Sequence, residues 1–420
     1  MRLTEEEERM LKGGDGYVTM KCMEYLVEYG EKAGAERLVN IDGIVDIRPG
    51  FTGVELFFSE ININDPQLYG KHFKVPTYTN KPGPSFCIDG WEDLFPPLND
   101  PEFHHKMMEG LKPYWRLGAV PTLTCDYYLV SSYNPTVGQH CSCTESSLIP
   151  WINAICGART NYDGSFASAW TGKIPAFDMH LDENRLATRH IICEAELRND
   201  MDYDLFGWAV GEAMELEVPV ITGIGKPTTS QIVKMNSTLN TGGQVRMYHV
   251  PGLTPEASTV EAALGGKKAV DTVVIKRGDL RKVYDKLQYA GGENVDFVYL
   301  GCPHYTMNEV QKAVYLLEGK KCKANLWIMT NPWTFKMAEM MGYRDIIRRA
   351  GGVLASGSCP GMLGGEGFMP PNTKVMATDS AKQNYYITGL NYPSKLQAWY
   401  GTTEECIEAA VTGKWKGQWK

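Results

Sequence analysis

The chain has 420 residues and a mass of 46.9 kDa, which is enough material for two or three domains, and 43% of its residues are hydrophobic. Its 42 Lys and Arg residues are outnumbered by 50 Asp and Glu residues, so the net charge is −8 and the balance argues against a general nucleic-acid binder. The composition excludes disorder, collagen-like repeats and coiled coils, and because the longest apolar runs are far shorter than a membrane span, we expect a globular protein that binds neither nucleic acid nor a membrane.

The N-terminus and the cysteine content predict the compartment. Residues 1–8 are acidic where a secretory or mitochondrial signal would be basic. The eleven cysteines are an odd number in a long chain without a signal segment, which is typical of a reducing environment and not of a disulfide framework. We therefore expect a cytoplasmic protein.

The first predicted elements are two helices followed by strands. Thr4 and Glu7 form a capping-box pattern that opens one helix, and a second helix is predicted over 18–31. Residues 37–47 are predicted to form a strand interrupted by a turn. Further on, 75–80 (VPTYTN) and 120–125 (VPTLTC) echo each other. Two related strand ends lining one site and a coincidence in β-rich sequence are both open explanations of this echo.

The C-terminal half shows a clearer alternation of strands and helices. Strands are predicted over 270–275, 295–300, 324–329, 353–355 and 373–377. Asp279 is expected to cap the helix after the first of these strands, Thr306 and Glu309 to form a capping box, and Thr334 to begin a third helix. This alternation predicts an α/β fold with mostly parallel sheets covered by helices. We divide it into two α/β portions, residues 1–195 and 196–420.

Three cysteines come shortly after the carboxyl ends of predicted strands, where open α/β sheets bind their ligands. They are Cys125, Cys302 and Cys359, and the last two are each followed by proline. Their separations along the chain are far longer than those in the paired cysteines of zinc ribbons or ferredoxins. On spacing alone, a small buried apolar filler is the favoured explanation of each cysteine over a ligand.

The segment His140-Cys141-Ser142-Cys143 brings three soft donor groups within four residues. Such a group suits zinc or copper, or a thiol redox site. No second cluster in the sequence completes a structural zinc site, so packing in a loop is the other interpretation.

Several longer motifs resemble the catalytic subunit of the aconitase X family, in the same order over nearly the whole chain. They are 122–125 (TLTC), 138–140 (GQH) with 145–147 (ESS), 157–161 (GARTN), 180–185 (HLDENR), 249–256 (HVPGLTPE), 301–304 (GCPH), 399–401 (WYG) and 408–413 (EAAVTG). The resemblance implies an aconitase-like fold and a hydro-lyase. The implied activities are dehydration of cis-3-hydroxy-L-proline and, in archaeal members, of 5-phosphomevalonate.

The same resemblance implies that Cys125, Cys302 and Cys359 hold an iron–sulfur cluster, of the [4Fe-4S] type, at the carboxyl ends of strands. Three thiolates leave one iron of such a cluster without a protein ligand, and that iron can act as a Lewis acid on a departing hydroxyl group. A fully ligated cluster would only carry electrons. The count of three cysteines therefore favours dehydration over electron transfer.

The resemblance also implies the residues around the substrate. The expected substrate contacts are Asp42, Gly43, Ile44, Asn80, Lys81, Glu145, Ser146, Ser380, Ala381 and Lys382. Glu145, Ser146 and His304 are the expected catalytic groups, although capping and structural roles explain these residue types equally well. Glu145 and Ser146 are expected in the first turn of a helix whose N-terminus suits a substrate carboxylate. Cys141, Cys143, the segment 86–113 and the turn 379–382 depart from the usual family pattern.

Two substrates and one competing class remain. A hydroxyproline site needs an acidic partner for the ring nitrogen, which Glu145 or Asp42 supplies, whereas a phosphomevalonate site needs cations such as Lys81, Arg159 or Lys382. The sequence slightly favours the hydroxyproline type. The alternative of another class is a zinc or thiol-redox protein that uses the two cysteines of the 140–143 segment.

A partner is also expected. Members of the family carry the proton-abstracting serine in a small swivelling domain, either fused to the large portion or encoded separately. The motifs that close the large portion end at residue 413 of 420, which leaves no room for that domain. We therefore expect a heterodimer with a small subunit that brings the catalytic base.

Overall fold

The computed structural model describes residues 1–48, 63, 65–80, 87–129, 134–359, 369–390, 396–417 and 419. In chain order, the helices are α1 (Glu5–Leu11), α2 (Tyr17–Lys32), α3 (Pro101–Arg116), α4 (Leu148–Pro150), α5 (Phe166–Thr171), α6 (Asp200–Met214), α7 (Thr229–Gly243), α8 (Val260–Ala263), α9 (Arg277–Lys286), α10 (Met307–Leu317), α11 (Pro332–Met340), α12 (Tyr343–Ala350), α13 (Ala381–Tyr385) and α14 (Thr403–Thr412). The strands are β1 (Leu38–Asn40), β2 (Val45–Ile47), β3 (Thr77–Thr79), β4 (Val120–Pro121), β5 (Ser142–Cys143), β6 (Lys173–Pro175), β7 (Arg189–Cys193), β8 (Pro219–Thr222), β9 (Thr272–Ile275), β10 (Phe297–Tyr305), β11 (Asn325–Thr330), β12 (Gly352–Ser356), β13 (Val375–Thr378) and β14 (Gln397–Tyr400).

Parallel pairing dominates the sheets. A four-stranded sheet has the order β4-β3-β2-β5, a five-stranded sheet the order β12-β11-β10-β13-β14, and a three-stranded sheet the order β8-β7-β9, all with parallel neighbours. Only β1 and β6, within the described residues, form an antiparallel two-stranded sheet. Helices connect and cover these strands, which confirms the predicted α/β fold with mostly parallel sheets.

The N-terminal predictions agree closely with the structure. The capping box of Thr4 and Glu7 opens α1, and α2 extends the predicted second helix by one residue at each end. The two echoing segments contain β3 and β4, which are neighbouring parallel strands with Tyr78 opposite Val120. The two similar segments therefore contain neighbouring strands that end at the same edge of one sheet.

Two predicted helix starts need correction. Asp279 is not the N-cap of α9: the cap is Lys276, and the Asp279 carboxylate accepts a 3.0 Å hydrogen bond from its backbone N–H, three residues back. Thr334 does not begin the next helix, because Asn331 caps α11, which then ends at Met340. An acidic residue at the second or third position of a helix can accept a hydrogen bond from the first turn, just as a capping residue can. The sequence pattern therefore does not show whether such a residue is the cap or lies inside the helix.

The segment that departs from the family pattern, 86–113, is described from Cys87 onward. Its first residues bridge to β12, where Ile88 donates a backbone hydrogen bond of 2.8 Å to Ser356 and Asp89 accepts one of 3.0 Å from it. Leu94 then packs into a buried apolar layer with residues of β10, β11 and β12. The segment thus ties the N-terminal part of the chain to the five-stranded sheet. No helix among the described residues combines the length and apolar character that crossing a bilayer requires.

Helices α6 and α7 pack with their backbones in close contact. A Cβ atom added to Gly207 of α6 would stand 2.4 Å from the side chain of Thr238 and 2.5 Å from the carbonyl of Met235, both on α7. One added to Gly243 would stand 1.8 Å from the carbonyl of Gly211. The glycines are therefore required by the close approach of the two helices.

We predict opposite effects for alanine at two helical glycines. Gly207→Ala should lower the free energy of unfolding by about 1–3 kcal/mol, because overpacking forces the two helices apart. The matched control Gly110→Ala, in α3, meets no atom within 4 Å and should raise it by about 0.5–1 kcal/mol through helix propensity. Denaturant unfolding of both variants measures the difference, and equal effects would contradict the close packing.

Candidate active site

The carboxyl ends of the two larger parallel sheets face one cavity. From the four-stranded sheet come Cys125 after β4 and Glu145 after β5. From the five-stranded sheet come Cys302 within β10, Cys359 after β12 and Lys382 after β13. The residues that line this cavity are Cys125, Glu145, Ser147, Gly301, Cys302, Pro303, His304, Cys359, Lys382 and Tyr386. The three cysteines, far apart in the chain, thus all line one cavity.

The thiols of this cavity are largely shielded from solvent. Cys125 and Cys302 are buried and Cys359 is half-buried. Burial raises the pKa of Cys302 to about 11, although the charge of Lys382 and a hydrogen bond with Ser380 act in the other direction. Without a metal ion, the Cys302 thiol therefore keeps its proton at neutral pH.

His304 connects the three segments that carry the cysteines. It stands two residues after Cys302, and its backbone N–H points to the Cys125 Sγ at 3.3 Å. Its ring Nδ1 lies 2.9 Å from the Thr124 hydroxyl, and its Nε2 lies 2.6 Å from the carbonyl oxygen of Ser358, the residue before the third cysteine. Both ring nitrogens of this buried histidine are therefore engaged by the cysteine loops.

His304 also belongs to a group of three potential metal ligands. Their donor atoms, one each from Cys125, Asp126 and His304, lie within 4.8 Å of one another. The Asp126 carboxylate accepts a hydrogen bond from Thr124, and the ring nitrogens of His304 are engaged as above. The group is thus already joined by hydrogen bonds that support the loop before and after Cys125.

Glu145 lies between two cations at the side of the cavity. Its Oε1 is 3.3 Å from the Lys382 ammonium and its Oε2 is 3.4 Å from the Arg48 guanidinium. Burial acts to lower the pKa of Lys382, but the Glu145 carboxylate together with Tyr386, Cys302 and Cys125 outweighs it, so the pKa lies above its usual value and the ammonium stays charged. The same ammonium bonds to the Ser146 hydroxyl at 2.7 Å. The cavity is thus lined on this side by the ion pair of Glu145 and Lys382, and Arg48 is a second cation on the same carboxylate.

The predicted helix at Glu145 needs correction. Glu145, Ser146 and Ser147 form the turn that precedes α4, which begins at Leu148 and continues as one π-helical turn over Trp151–Ile155. The Ser147 hydroxyl donates to the Glu145 carboxylate at 3.1 Å, which holds the turn together. Because α4 is so short, a helix-dipole site for a substrate carboxylate is not supported, and the Arg48 and Lys382 side chains carry the positive charge instead.

Buried polar groups stabilise the turn 379–382. Asp379 accepts a 2.5 Å hydrogen bond from the Tyr305 hydroxyl, and the Ala381 N–H donates to Asp204 at 2.8 Å. Ser380 caps α13 and bonds to Cys302. Ser380 and Lys382 thus belong to the cysteine cavity, and Ala381 anchors the turn that carries them.

The other predicted substrate contacts lie at two different places. Asn80 is buried next to the site edge, where its amide donates to Asp46 at 2.9 Å. Asp42, Gly43 and Ile44 lie instead against the 140–143 segment: the His140 N–H donates to Asp42 at 2.7 Å, and a Cβ on Gly43 would stand 2.4 Å from the Cys141 Sγ. Lys81 lies outside the described residues.

The thiols of the 140–143 segment are core groups. Cys141 and Cys143 are fully buried, and burial raises the pKa of Cys141 to about 12. The Cys143 thiol contacts the carboxylate of Asp46 and the carbonyl of Glu145 at 3.7 Å. Among the described residues, the three donor atoms that lie within 4.8 Å of one another belong to Cys125, Asp126 and His304, so the 140–143 segment offers no such donor set for zinc. Its fully buried thiols also leave no open approach for a redox partner, and the zinc or thiol-redox alternative is not supported.

Arg48, Ser147 and Tyr386 lie at the site but were not among the predicted site residues. Arg48 could have been predicted, because it directly follows the strand that was expected to end at residue 47. Tyr386, whose ring lies 5.9 Å from the Lys382 ammonium, gave no such signal. Arg159, one of the cations considered for a phosphate, is instead paired with Asp182.

Comparisons with known proteins agree with this arrangement. Family models described as the first, second and third domains of aconitase X match residues 1–183, 187–285 and 295–412. These models divide the chain into three segments, whereas the sequence analysis divided it into two, 1–195 and 196–420. The two-part division stays a prediction.

The chain is 31% identical over 406 residues to the phosphomevalonate dehydratase large subunit of Thermococcus kodakarensis, covering 94% of this chain and 97% of that one. It is 28% identical to the cis-3-hydroxy-L-proline dehydratase of Pseudomonas aeruginosa, covering 98% of this chain and 70% of that one. A crystal structure of Thermococcus kodakaraensis aconitase X in its holo-form superposes with a TM-score of 0.78 at 30% identity, over 98% of this chain and 100% of that one.

We predict that Lys382→Met lowers the free energy of unfolding by about 3 kcal/mol, because it leaves the buried Glu145 carboxylate without its nearer cation. Adding Glu145→Gln should recover only part of that loss, since it removes the carboxylate that has lost a cation but also the partner of Arg48. The control Lys286→Met removes an exposed partner of Glu212 and should change stability by less than about 0.5 kcal/mol. Urea unfolding measures all three, and a Lys382→Met effect as small as the control would show that the buried pair is not coupled.

Proposed function

Because the chain belongs to the aconitase X family, we propose that this dehydratase eliminates water from a small hydroxylated carboxylic acid at the cysteine cavity, with an iron–sulfur cluster held by Cys125, Cys302 and Cys359. The observation that carries the proposal is the convergence of these three cysteines with Glu145 and Lys382 at the facing carboxyl edges of two sheets. That is the place where parallel sheets bind their ligands.

The residues present fit such a cluster. Iron–sulfur clusters are held by thiolates, and their properties depend on hydrogen bonds to the sulfur atoms. Here three thiols line one cavity, the His304 N–H points to one of them and Ser380 bonds to another. The ligand count favours the predicted [4Fe-4S] type with one iron left open. When bound, the cluster supplies a Lewis-acidic iron that assists the departure of a hydroxyl group.

The chain's own residues bind and orient the substrate in this proposal. The Lys382 ammonium, charged at every working pH, attracts an acidic substrate and fixes the Ser146 hydroxyl at 2.7 Å. Glu145, held as a carboxylate by its two cations, is a proton acceptor next to the cavity. His304 acts as a positioning residue, because both of its ring nitrogens are used to hold the cysteine loops.

The substrate is proposed from the charge of the site. Arg48 and Lys382 offer two cations, which suits the additional negative charge of 5-phosphomevalonate, and the Thermococcus relative of that specificity matches over nearly its whole length. cis-3-Hydroxy-L-proline, which the sequence favoured, is the second candidate, because the Glu145 carboxylate can pair with its ring nitrogen. Both are small hydroxylated acids, so the reaction class is the same.

A second polypeptide is proposed to complete the enzyme. The chain matches 97% of the Thermococcus relative, which is named a large subunit, but only 70% of the Pseudomonas dehydratase. A small subunit that closes over the cavity would bring the catalytic base and exclude water, which strengthens every electrostatic contact in the site. All eleven cysteines are free thiols, in keeping with the proposed cytoplasmic location.

We expect Cys302→Ser to abolish the cluster absorbance and dehydration together while the protein stays folded, because a hydroxyl is a much poorer ligand for iron than a thiolate. The matched control is Cys322→Ser, a half-buried cysteine away from the cavity, which should load iron and sulfide as the wild type does. Iron and acid-labile sulfide analysis with circular dichroism measures both. Full loading of the Cys302 variant would show that this cysteine is a core filler.

We expect the purified, cluster-loaded chain to dehydrate neither acid at a measurable rate alone. Addition of an aconitase X small subunit should raise the rate by about 100-fold or more, the usual contribution of a positioned base, with 5-phosphomevalonate preferred over cis-3-hydroxy-L-proline. Parallel assays with both acids measure this, with the Cys302→Ser chain as the blank. Robust turnover by the single chain, linear in its concentration, would refute the two-subunit proposal.

A further inference from the structure

Tyr299 combines complete burial with an unused hydrogen-bond donor. Its side chain, on β10, packs in the apolar layer formed by the five-stranded sheet and the segment that begins at Cys87. Its hydroxyl has no hydrogen-bond partner among the residues that the structure describes. Buried hydroxyl groups are nearly always paired, because an unpaired one loses its bonds to water without replacement. A phenylalanine would fill this layer equally well, as Phe297 does two residues earlier.

The surroundings of the hydroxyl are rich in sulfur. Tyr299 stands three residues before Cys302 on the same strand, and the sulfur atoms that act on it electrostatically are those of Cys359, Cys302, Cys87 and Cys125. A tyrosine hydroxyl has an ordinary pKa of about 10, so it keeps its proton at neutral pH and can act as a donor.

One of these four sulfur atoms lies outside the cavity. The Cys87 thiol is not part of the cavity lining and forms a hydrogen bond with Ser358. The remaining three are the cysteines to which the proposed function assigns the cluster. We therefore expect the group that these cysteines hold to supply the acceptor that the Tyr299 hydroxyl lacks.

We propose that the Tyr299 hydroxyl donates a hydrogen bond to a sulfur atom of the iron–sulfur cluster and so acts as a positioning residue that stabilises it. The inference rests on the proposed function, because it requires the cluster to be bound there. Hydrogen bonds to the sulfurs raise the reduction potential of such clusters, since they stabilise the more negative reduced state. The donor is supplied by the rigid sheet, so it is in place before the cluster arrives.

The test compares Tyr299→Phe with Tyr248→Phe. Both variants remove one buried hydroxyl, but the Tyr248 hydroxyl donates to Asn236 at 2.8 Å in a different part of the core. In the cluster-free protein, Tyr299→Phe should leave the melting temperature unchanged or higher, whereas Tyr248→Phe should lower it. In the loaded protein, Tyr299→Phe should lower the cluster's midpoint potential and speed its loss to an iron chelator by about fivefold, the equivalent of one hydrogen bond. Tyr248→Phe should change neither property.

The outcomes separate the two proposals. If the wild-type chain takes up no iron and sulfide, the proposed function fails and this inference falls with it. If the wild type loads normally but the Tyr299 variant keeps the wild-type potential and rate of cluster loss, the inference alone is overturned. A lowered melting temperature of the cluster-free Tyr299 variant would also overturn it, because the hydroxyl would then be bonded within the protein itself.

Discussion

The site depends on two parallel sheets presenting their carboxyl edges to each other, and His304 is the residue that joins those edges. Its backbone N–H and ring Nδ1 reach the loop of Thr124 and Cys125, and its ring Nε2 reaches the loop that leads into Cys359. A thiol cavity built from residues so distant in the chain needs such a connection, because each loop alone has several conformations available. One buried imidazole therefore ties the loops of Cys125 and Cys359 to the strand that carries Cys302.

The charge of the site is fixed by burial. Glu145 lies between Arg48 and Lys382 in a place where an unpaired charge would be costly, so both lysine and carboxylate stay ionised and oriented. Below them, Asp379 and Asp204 hold the turn that carries Lys382. The Lys382 ammonium at the cavity is thus supported by a second layer of polar groups, and the proposal about acidic substrates rests on it.

Much of the architecture was readable from local patterns. Capping boxes located α1 and α10, and the echo between 75–80 and 120–125 reflected two adjacent parallel strands. Errors arose where one pattern has two structural solutions. Asp279 supports its helix from the third position and not as the cap, and Glu145 belongs to a turn in front of a short helix. In both cases the helix begins about three residues away from the predicted start, and the acidic side chain still bonds to a nearby group of the chain.

The sequence by itself determined the α/β class and the aconitase X membership, and it singled out three cysteines that line one cavity, because strand periodicity, helix caps and ordered motifs are local properties of the chain. Only the tertiary structure decided that Arg48 shares Glu145 with Lys382, that Asp42–Ile44 lie against Cys141, and that the Tyr299 hydroxyl is buried beside the cysteines. These are contacts between segments that are far apart in sequence. Their geometry follows from how sheets and loops pack together, and no local pattern records that packing.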